Sequence, residues 1–272
     1  MARVSSNKDA TKVRERAVRQ AGAQLRNEHA TKVVEAEERV RSLRARYGGM
    51  DGESLLEVLV REEFYGEIAA TSSFGAESAV LLDMIASIDS ATPVIFLDTG
   101  KLFEETYNYV STLVSHLGLS CVQVERPSPE RLLSLDPRGD LWRRDADSCC
   151  HIRKVEPLLR AFGSGRYRAW ITGRKRYHGD LRLHLQTFEA VDGLIKVNPL
   201  AGWSLERIRS RFESRGLPLH PLVAQGYPSI GCHHCTHRAE AGDDPRAGRW
   251  ANMQKTECGI HRASWMAGSD KP

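Results

Sequence analysis

Five of the six cysteines in this chain stand where chemistry is possible. Cys149 and Cys150 are adjacent, Cys232 and Cys235 form a CxxC, and Cys258 stands alone within Glu257-Cys258-Gly259-Ile260-His261. Two thiol pairs can close a four-thiolate site around zinc or an iron–sulfur cluster. A lone cysteine beside Gly, near a chain end, is placed to move and react. A bound cluster beside a mobile thiol points to sulfur or redox chemistry more than to a structural role. A CxxC alone is weak evidence. The adjacent pair is rarer and fits poorly into a zinc ribbon, which wants two residues between ligands. Cys121 sits in a strand-like stretch, Leu119-Ser120-Cys121-Val122, where a small buried hydrophobe is the expected role.

A second constellation suits anions. Ser72-Ser73-Phe74-Gly75-Ala76-Glu77-Ser78 separates a strand-like from a helix-like segment. Gly75 permits a tight turn, the serines donate hydrogen bonds, and a helix N-terminus offers free N–H groups. It is a phosphate or sulfate cradle without the Gly-Lys-Ser/Thr ending of a Walker loop. An N-capped helix start is the plain alternative. Arg153-Lys154, Arg174-Lys175-Arg176 and the pair Arg246 and Arg249 add the cations that a small polyanion requires. If residues 246–249 are helical, both arginines face one site.

The elements that must position these groups alternate in type. Residues 53–65 have helical periodicity. Strands are expected at 68–72, 93–98, 120–125 and 169–173, with helices at 79–86, 103–117 and 149–162 between them. That alternation gives an α/β fold, a mostly parallel sheet with helices on both faces. Ligands of such sheets bind at the carboxyl ends of the strands, where Ser72–Ser78, Asp98–Gly100 and Gly173–Arg176 fall.

The chain has 272 residues, 41% hydrophobic, with a net charge of +4. Residues 1–46 are rich in Arg, Lys and Glu and suit a solvated helix rather than a nucleic-acid contact. Gly48-Gly49 ends that segment. No secretory h-region and no apolar run of membrane-spanning length is present. We expect a cytoplasmic protein with reduced thiols. The expected organisation is a charged helical extension at 1–49, an α/β domain at 50–249, and a mobile tail at 250–272 carrying Cys258. Met50 is an alternative start.

Taken together, these residues resemble the assimilatory adenylyl-sulfate reductases, the iron–sulfur type of the phosphoadenylyl-sulfate reductase family. The matching stretches are Ser72–Ser78, Leu97–Thr106, Cys149–Leu158, Gly226–Cys232, Arg246-Ala247-Gly248-Arg249-Trp250 and Glu257–His261. The loop is similar to the PP-loop of ATP pyrophosphatases, altered from Ser-Gly-Gly-x-Asp-Ser. The resemblance implies an adenine-nucleotide alpha-hydrolase-like fold. It also implies a 4Fe–4S cluster on Cys149, Cys150, Cys232 and Cys235, and Cys258 as nucleophile. The implied reaction reduces adenosine 5′-phosphosulfate to sulfite and AMP through an S-sulfocysteine, with thioredoxin or a glutaredoxin-like protein as donor.

Ser72, Ser73, Phe74, Gly75, Leu97, Thr99, Lys154, Arg174, Arg176, Arg246, Arg249 and His261 are the implied substrate contacts. The chain departs from the family after Gly173: Arg174-Lys175-Arg176-Tyr177-His178-Gly179-Asp180-Leu181-Arg182 stands where Gln-Ser-x-x-Arg is common. That leaves open which of Arg174, Arg176 and Arg182 meets the anion. The rival readings are use of the 3′-phosphorylated substrate, an ATP-dependent PP-loop adenylyltransferase, and a zinc-stabilised nucleic-acid module. No nucleic-acid or membrane partner is expected, and a homo-oligomer stays open.

Overall fold

The computed structural model describes residues 3–240, 244–251, 253 and 255–261. Helices α1 (Arg3–Tyr47) and α2 (Gly52–Val58) lead through a π-turn at Leu59–Glu63 into strand β1 (Ile68–Ser72). Then follow α3 (Ser78–Asp89), β2 (Val94–Leu97), α4 (Glu104–Leu117), β3 (Val122–Glu125) and three short helices, α5 (Pro129–Leu135), α6 (Leu141–Arg144) and α7 (Ala146–Cys150). A π-turn at His151–Val155 joins α7 to α8 (Glu156–Gly163). Strands β4 (Ala169–Ile171), β5 (Phe188–Val191) and β6 (Leu194–Val197) precede α9 (Leu205–Ser214).

The six strands run in the order β3-β2-β1-β4-β6-β5, all parallel except β5 against β6. The chain winds one way from β1 to β3 and the other way from β4. The crevice between β1 and β4 is therefore the topological switch point, where such folds hold ligands. Alternation on β1, β2, β4 and β6 splits the core. Ile68, Ala70, Val94, Phe96, Ala169, Ile171, Ile195 and Val197 share one face, packed with residues of α1, α2, α3 and α9. Ala69, Ile95, Leu97 and Trp170 share the other, under α8.

The α/β fold and all four expected strands are present. Two strands were not foreseen, and they form the β5–β6 hairpin. Its turn residues Asp192 and Gly193 both have positive φ, 48° and 84°. An Asp-Gly turn between short apolar runs is a strong hairpin signal. The helix expected over 149–162 exists, interrupted by the π-turn.

The solvated helix expected over residues 1–46 is correct only in part. Ala36, Val40 and Leu43 are buried at 5%, 5% and 0% exposure. Val40 and Leu43 belong to the main core, and the Arg44 guanidinium donates to the Phe188 carbonyl at 2.6 Å. A spacing of three and four puts these small apolar residues on one helical face, diluted by the charges around them. Cys121 lies just before β3 and is half-buried rather than buried. No helix among the described residues is long and apolar enough to cross a membrane.

Candidate active site

The β1–β4 crevice opens into a cavity of about 200 Å³. Its floor is the loop after β1. Ser72 Oγ accepts from the Phe74 N–H at 3.0 Å, which holds Phe74 at φ 47° and turns the chain toward α3. Phe74 itself is buried edge-on against Phe96, a core contact. A Cβ on Gly75 would stand 2.9 Å from the Ile230 carbonyl, so glycine lets the 228–231 segment close over the loop. Ser72 and Ser73 line the cavity, and so does Leu97.

Of the expected cations, Lys154, Arg174, Arg246 and Arg249 line the cavity. Arg176 does not: it is exposed and donates to the Leu185 carbonyl at 2.8 Å. Arg182 takes its place on the cavity wall. The open choice among the three arginines thus narrows to Arg174 and Arg182. Thr99 stands outside the cavity lining, its hydroxyl 3.4 Å from Cys232 Sγ.

Residues 246–249 form a turn, not a helix. Their convergence has another cause. Thr236 and Arg249 form an antiparallel bridge, and the Trp250 N–H donates to the Cys235 carbonyl at 3.1 Å. Both guanidiniums lie over the Trp250 ring, at 5.3 and 4.5 Å. A Cβ on Gly231 would meet Arg249 Nη2 at 2.5 Å, so glycine there admits the side chain to the site.

Cys258 lies in the cavity wall, with Ile260 and His261 beside it. A hydrogen bond with Cys150 and the positive charge of Lys154 hold its thiol well below the ordinary range, against the opposing effect of burial. Burial works against the Lys154 ammonium, but the sulfurs of Cys232, Cys258 and Cys150 outweigh it and raise its pKa. Burial, with Lys196 and three arginines nearby, keeps His261 well below the usual imidazole range. Neutral His261 offers hydrogen bonds rather than charge, and its buried Nδ1 has no partner among the described residues.

Carboxylates to which the sequence assigns no role hold several of the cations. Glu257 accepts from Arg182 at 2.6 and 2.9 Å and from the Cys258 N–H at 2.9 Å. Glu77 pairs with Lys175 and with His178 at 3.1 Å. Arg174 pairs with Glu189. Acidic residues inside a basic motif give no spacing signal, because their partners lie far along the chain.

Cys149, Cys150, Cys232 and Cys235 line one small cavity beside the first, with Lys154 and Arg249 at the junction. None is in a disulfide. Burial pushes the Cys149 thiol up to about 11 and raises Cys235 as well. Buried thiols facing one space are costly to ionise unless a metal takes the proton's place. Among the described residues, no three His, Cys, Asp or Glu side chains are gathered as the ligands of a single metal ion. The donor set nevertheless fits a thiolate-bound group, with four thiols outside any disulfide, from two segments, around one enclosed space. Buried Arg153 ties the Cys149–Cys150 segment to the site by donating to the Thr99 carbonyl at 2.8 Å and to Asp136 at 2.5 Å.

Residues 67–238 match the phosphoadenosine phosphosulfate reductase domain, and the chain belongs to that family. Its curated relatives carry a narrower name. "Adenosine 5′-phosphosulfate reductase" of Mesorhizobium japonicum is 51% identical over 219 residues, 80% of this chain and 85% of the relative. The protein of the same name from Chelativorans is 48% identical over 85% of this chain and 94% of its own length. Among solved structures, phosphoadenylyl-sulfate reductase from Candida auris, in a phosphate complex, superposes with a TM-score of 0.61 at 26% identity. It covers 74% of this chain and 98% of that one.

Proposed function

We propose that this protein reduces adenosine 5′-phosphosulfate to sulfite and AMP in sulfate assimilation, with Cys258 as the nucleophile. One observation carries the reading: Cys258 shares a single cavity with the Ser72–Ser73 loop and with Lys154, Arg246 and Arg249. The family supplies the substrate class, and the relatives' names supply the choice of substrate.

The substrate's sulfur is electrophilic but shielded by anionic oxygens. A thiolate approaching it is repelled unless fixed cations offset the charge. Lys154, Arg246 and Arg249 are placed to do so without reorganising. The Ser72–Ser73 hydroxyls and the N-terminal end of α3 receive phosphate oxygens. The region of Leu97 reads the nucleoside. Cys258 Sγ bonds to sulfur, the sulfur–oxygen bond to phosphate breaks, and AMP leaves with that electron pair. The enzyme is left as an S-sulfocysteine. One thiol of a dithiol donor of the thioredoxin type attacks Cys258 Sγ and expels sulfite. Its second thiol then resolves the mixed disulfide. The donor is oxidised by two electrons, and the substrate's sulfur is reduced by two.

Cys149, Cys150, Cys232 and Cys235 would hold a 4Fe–4S cluster, which would cross-link two segments and set the charge environment beside the site. With Cys150 committed as a ligand, Lys154, Arg246 and Lys255 are cations left to favour the Cys258 thiolate. We place the protein in the cytoplasm, where a reducing thiol pool keeps such cysteines free.

The test is sulfite release from adenosine 5′-phosphosulfate with reduced thioredoxin, run beside the 3′-phosphorylated substrate and beside ATP turnover. Sulfite from the first substrate supports the reading. ATP hydrolysis without sulfite release assigns the protein to another PP-loop activity and refutes it.

A further inference from the structure

One strand carries a charge where its pattern calls for an apolar residue. On β6, Ile195 and Val197 enter the main core, while Lys196 points to the opposite face and is 1% exposed. Lysine is almost never buried this completely without a partner. Among the described residues no carboxylate lies within ion-pair distance of it. Its cross-strand neighbour Glu189 is engaged by Arg174 and Asn198 instead. The Lys196 ammonium sits 4.6 Å from the ring centroid of Trp170, its register partner on β4. A desolvated cation over an indole is a favourable contact.

Trp170 is fully buried, and its indole N–H donates to Thr71 Oγ1 at 2.7 Å, at the edge of the site. The His261 ring lies parallel to that indole, 10° between planes and 6.0 Å between centroids. Ile260 packs against the same cluster. The His261 N–H donates to the Cys258 carbonyl at 3.0 Å, closing the Gly259–His261 turn. The imidazole is thus one short, hydrogen-bonded turn from the thiol.

We propose that Lys196 and Trp170 are positioning residues for Cys258. The ammonium-backed indole is the seat on which His261 stacks, and the seated turn holds the thiol toward the Ser72–Ser73 loop. The proposal rests on the reading of Cys258 as the attacking thiol. Burial of His261 supports it, since a neutral ring stacks beside a cation without repulsion. Burial, with Arg174 nearby, pushes Lys196 down to about 7. The test is therefore run near pH 6, below that value.

The full-length protein is compared with Lys196→Met, Lys196→Arg, Trp170→Leu and the double variant Lys196→Met/Trp170→Leu. Two quantities are read: AMP affinity, and the single-turnover rate of SO₃ transfer to Cys258 from adenosine 5′-phosphosulfate without reductant. Absence of transfer in the wild type refutes the nucleophile reading, whatever the variants do. Given transfer in the wild type, both single variants are expected to bind AMP within about twofold and to transfer about tenfold more slowly. The double variant should be no slower than the slower single one, because both disrupt the same seat. Lys196→Arg should recover to within about threefold. Unchanged transfer in Lys196→Met, additive slowing in the double variant, or equal loss of AMP binding and transfer overturns the proposal. If the Lys196 and Trp170 variants fail to fold, His261→Phe against His261→Ala decides. The seat predicts at least about fivefold faster transfer with Phe, and equal rates overturn it.

Discussion

Arg182 grips Glu257 with two hydrogen bonds, 2.6 and 2.9 Å long, across a gap of 75 residues. Glu257 also accepts from the Cys258 N–H, so the clamp fixes the backbone of the thiol itself. Burial pushes the Glu257 carboxyl up, but the hydrogen bonds and charge of Arg182 outweigh it and bring it down to about 2. A depressed carboxyl stabilises the folded state above its unfolded pKa, about 4.3. That contribution is lost as pH falls through the folded value. The clamp's share of the protection of the Cys258 segment from proteolysis should therefore be lost only below about pH 4, whereas His261, kept neutral by burial well below the usual imidazole range, adds an earlier decline that sets in below about 6.5. Arg182→Ala leaves the buried Glu257 carboxylate with only the longer 3.5 Å contact of Arg246 as an ion pair and should slow SO₃ transfer more than Glu257→Gln does. Stopped single-turnover measurements on the two variants check the order.

Metal content follows from the second cavity. Replacing Cys235 with Ser removes one of four thiols contributed by two distant segments. We expect iron and acid-labile sulfide to fall together, with a lower Tm, because ligation and folding are coupled. Colorimetric iron and sulfide assays check this. Full iron and sulfide in a purified Cys235→Ser protein would remove Cys235 from the ligand set.

Substrate choice should follow from cations already committed. An additional 3′-phosphate brings about two negative charges. Lys175 is held by Glu77, Arg174 by Glu189 and Arg182 by Glu257, and Arg176 points away. We expect kcat/KM to favour adenosine 5′-phosphosulfate by at least about tenfold, or about 1.4 kcal/mol. Equal efficiencies in a side-by-side assay would mean that one of these ion pairs opens for the 3′-phosphate.

The long N-terminal helix yields a stability prediction. Leu43 is fully buried in the main core. Leu43→Ala should cost about 2–5 kcal/mol, as large-to-small changes in cores do. Urea unfolding measures it. A cost below about 0.5 kcal/mol would mean that α1 is a dispensable extension.

Much of the site was legible because its residues form short local motifs. Gly75 and the CxxC have meaning within a few positions of themselves. The strand-end loops are read from alternation alone, and the fold brings them to the β1–β4 crevice. What escaped depends on pairing across the chain. Glu257 reads as an ordinary acid until Arg182 is folded against it, and Lys196 breaks the pattern of β6 for a reason that only Trp170 and His261 reveal. The side-by-side placement of Arg246 and Arg249 was foreseen for the wrong reason, since a β-bridge to Thr236 does what a helix was expected to do. The β5–β6 hairpin had a readable Asp-Gly signal. Its short strands, one of them broken by lysine, hid it.

The central claim is that Cys258 takes the SO₃ group, and intact-protein mass spectrometry tests it most directly. The wild type is incubated with adenosine 5′-phosphosulfate in the absence of any reducing thiol, beside Cys258→Ser. The account predicts that the wild type gains the mass of one SO₃ unit, that peptide mapping places it on Cys258, and that reduced thioredoxin removes it as sulfite. Cys258→Ser should gain nothing and lose sulfite formation by on the order of a thousandfold or more, while still binding AMP. An adduct on another residue, or sulfite production by Cys258→Ser within a few-fold of wild type, would contradict it.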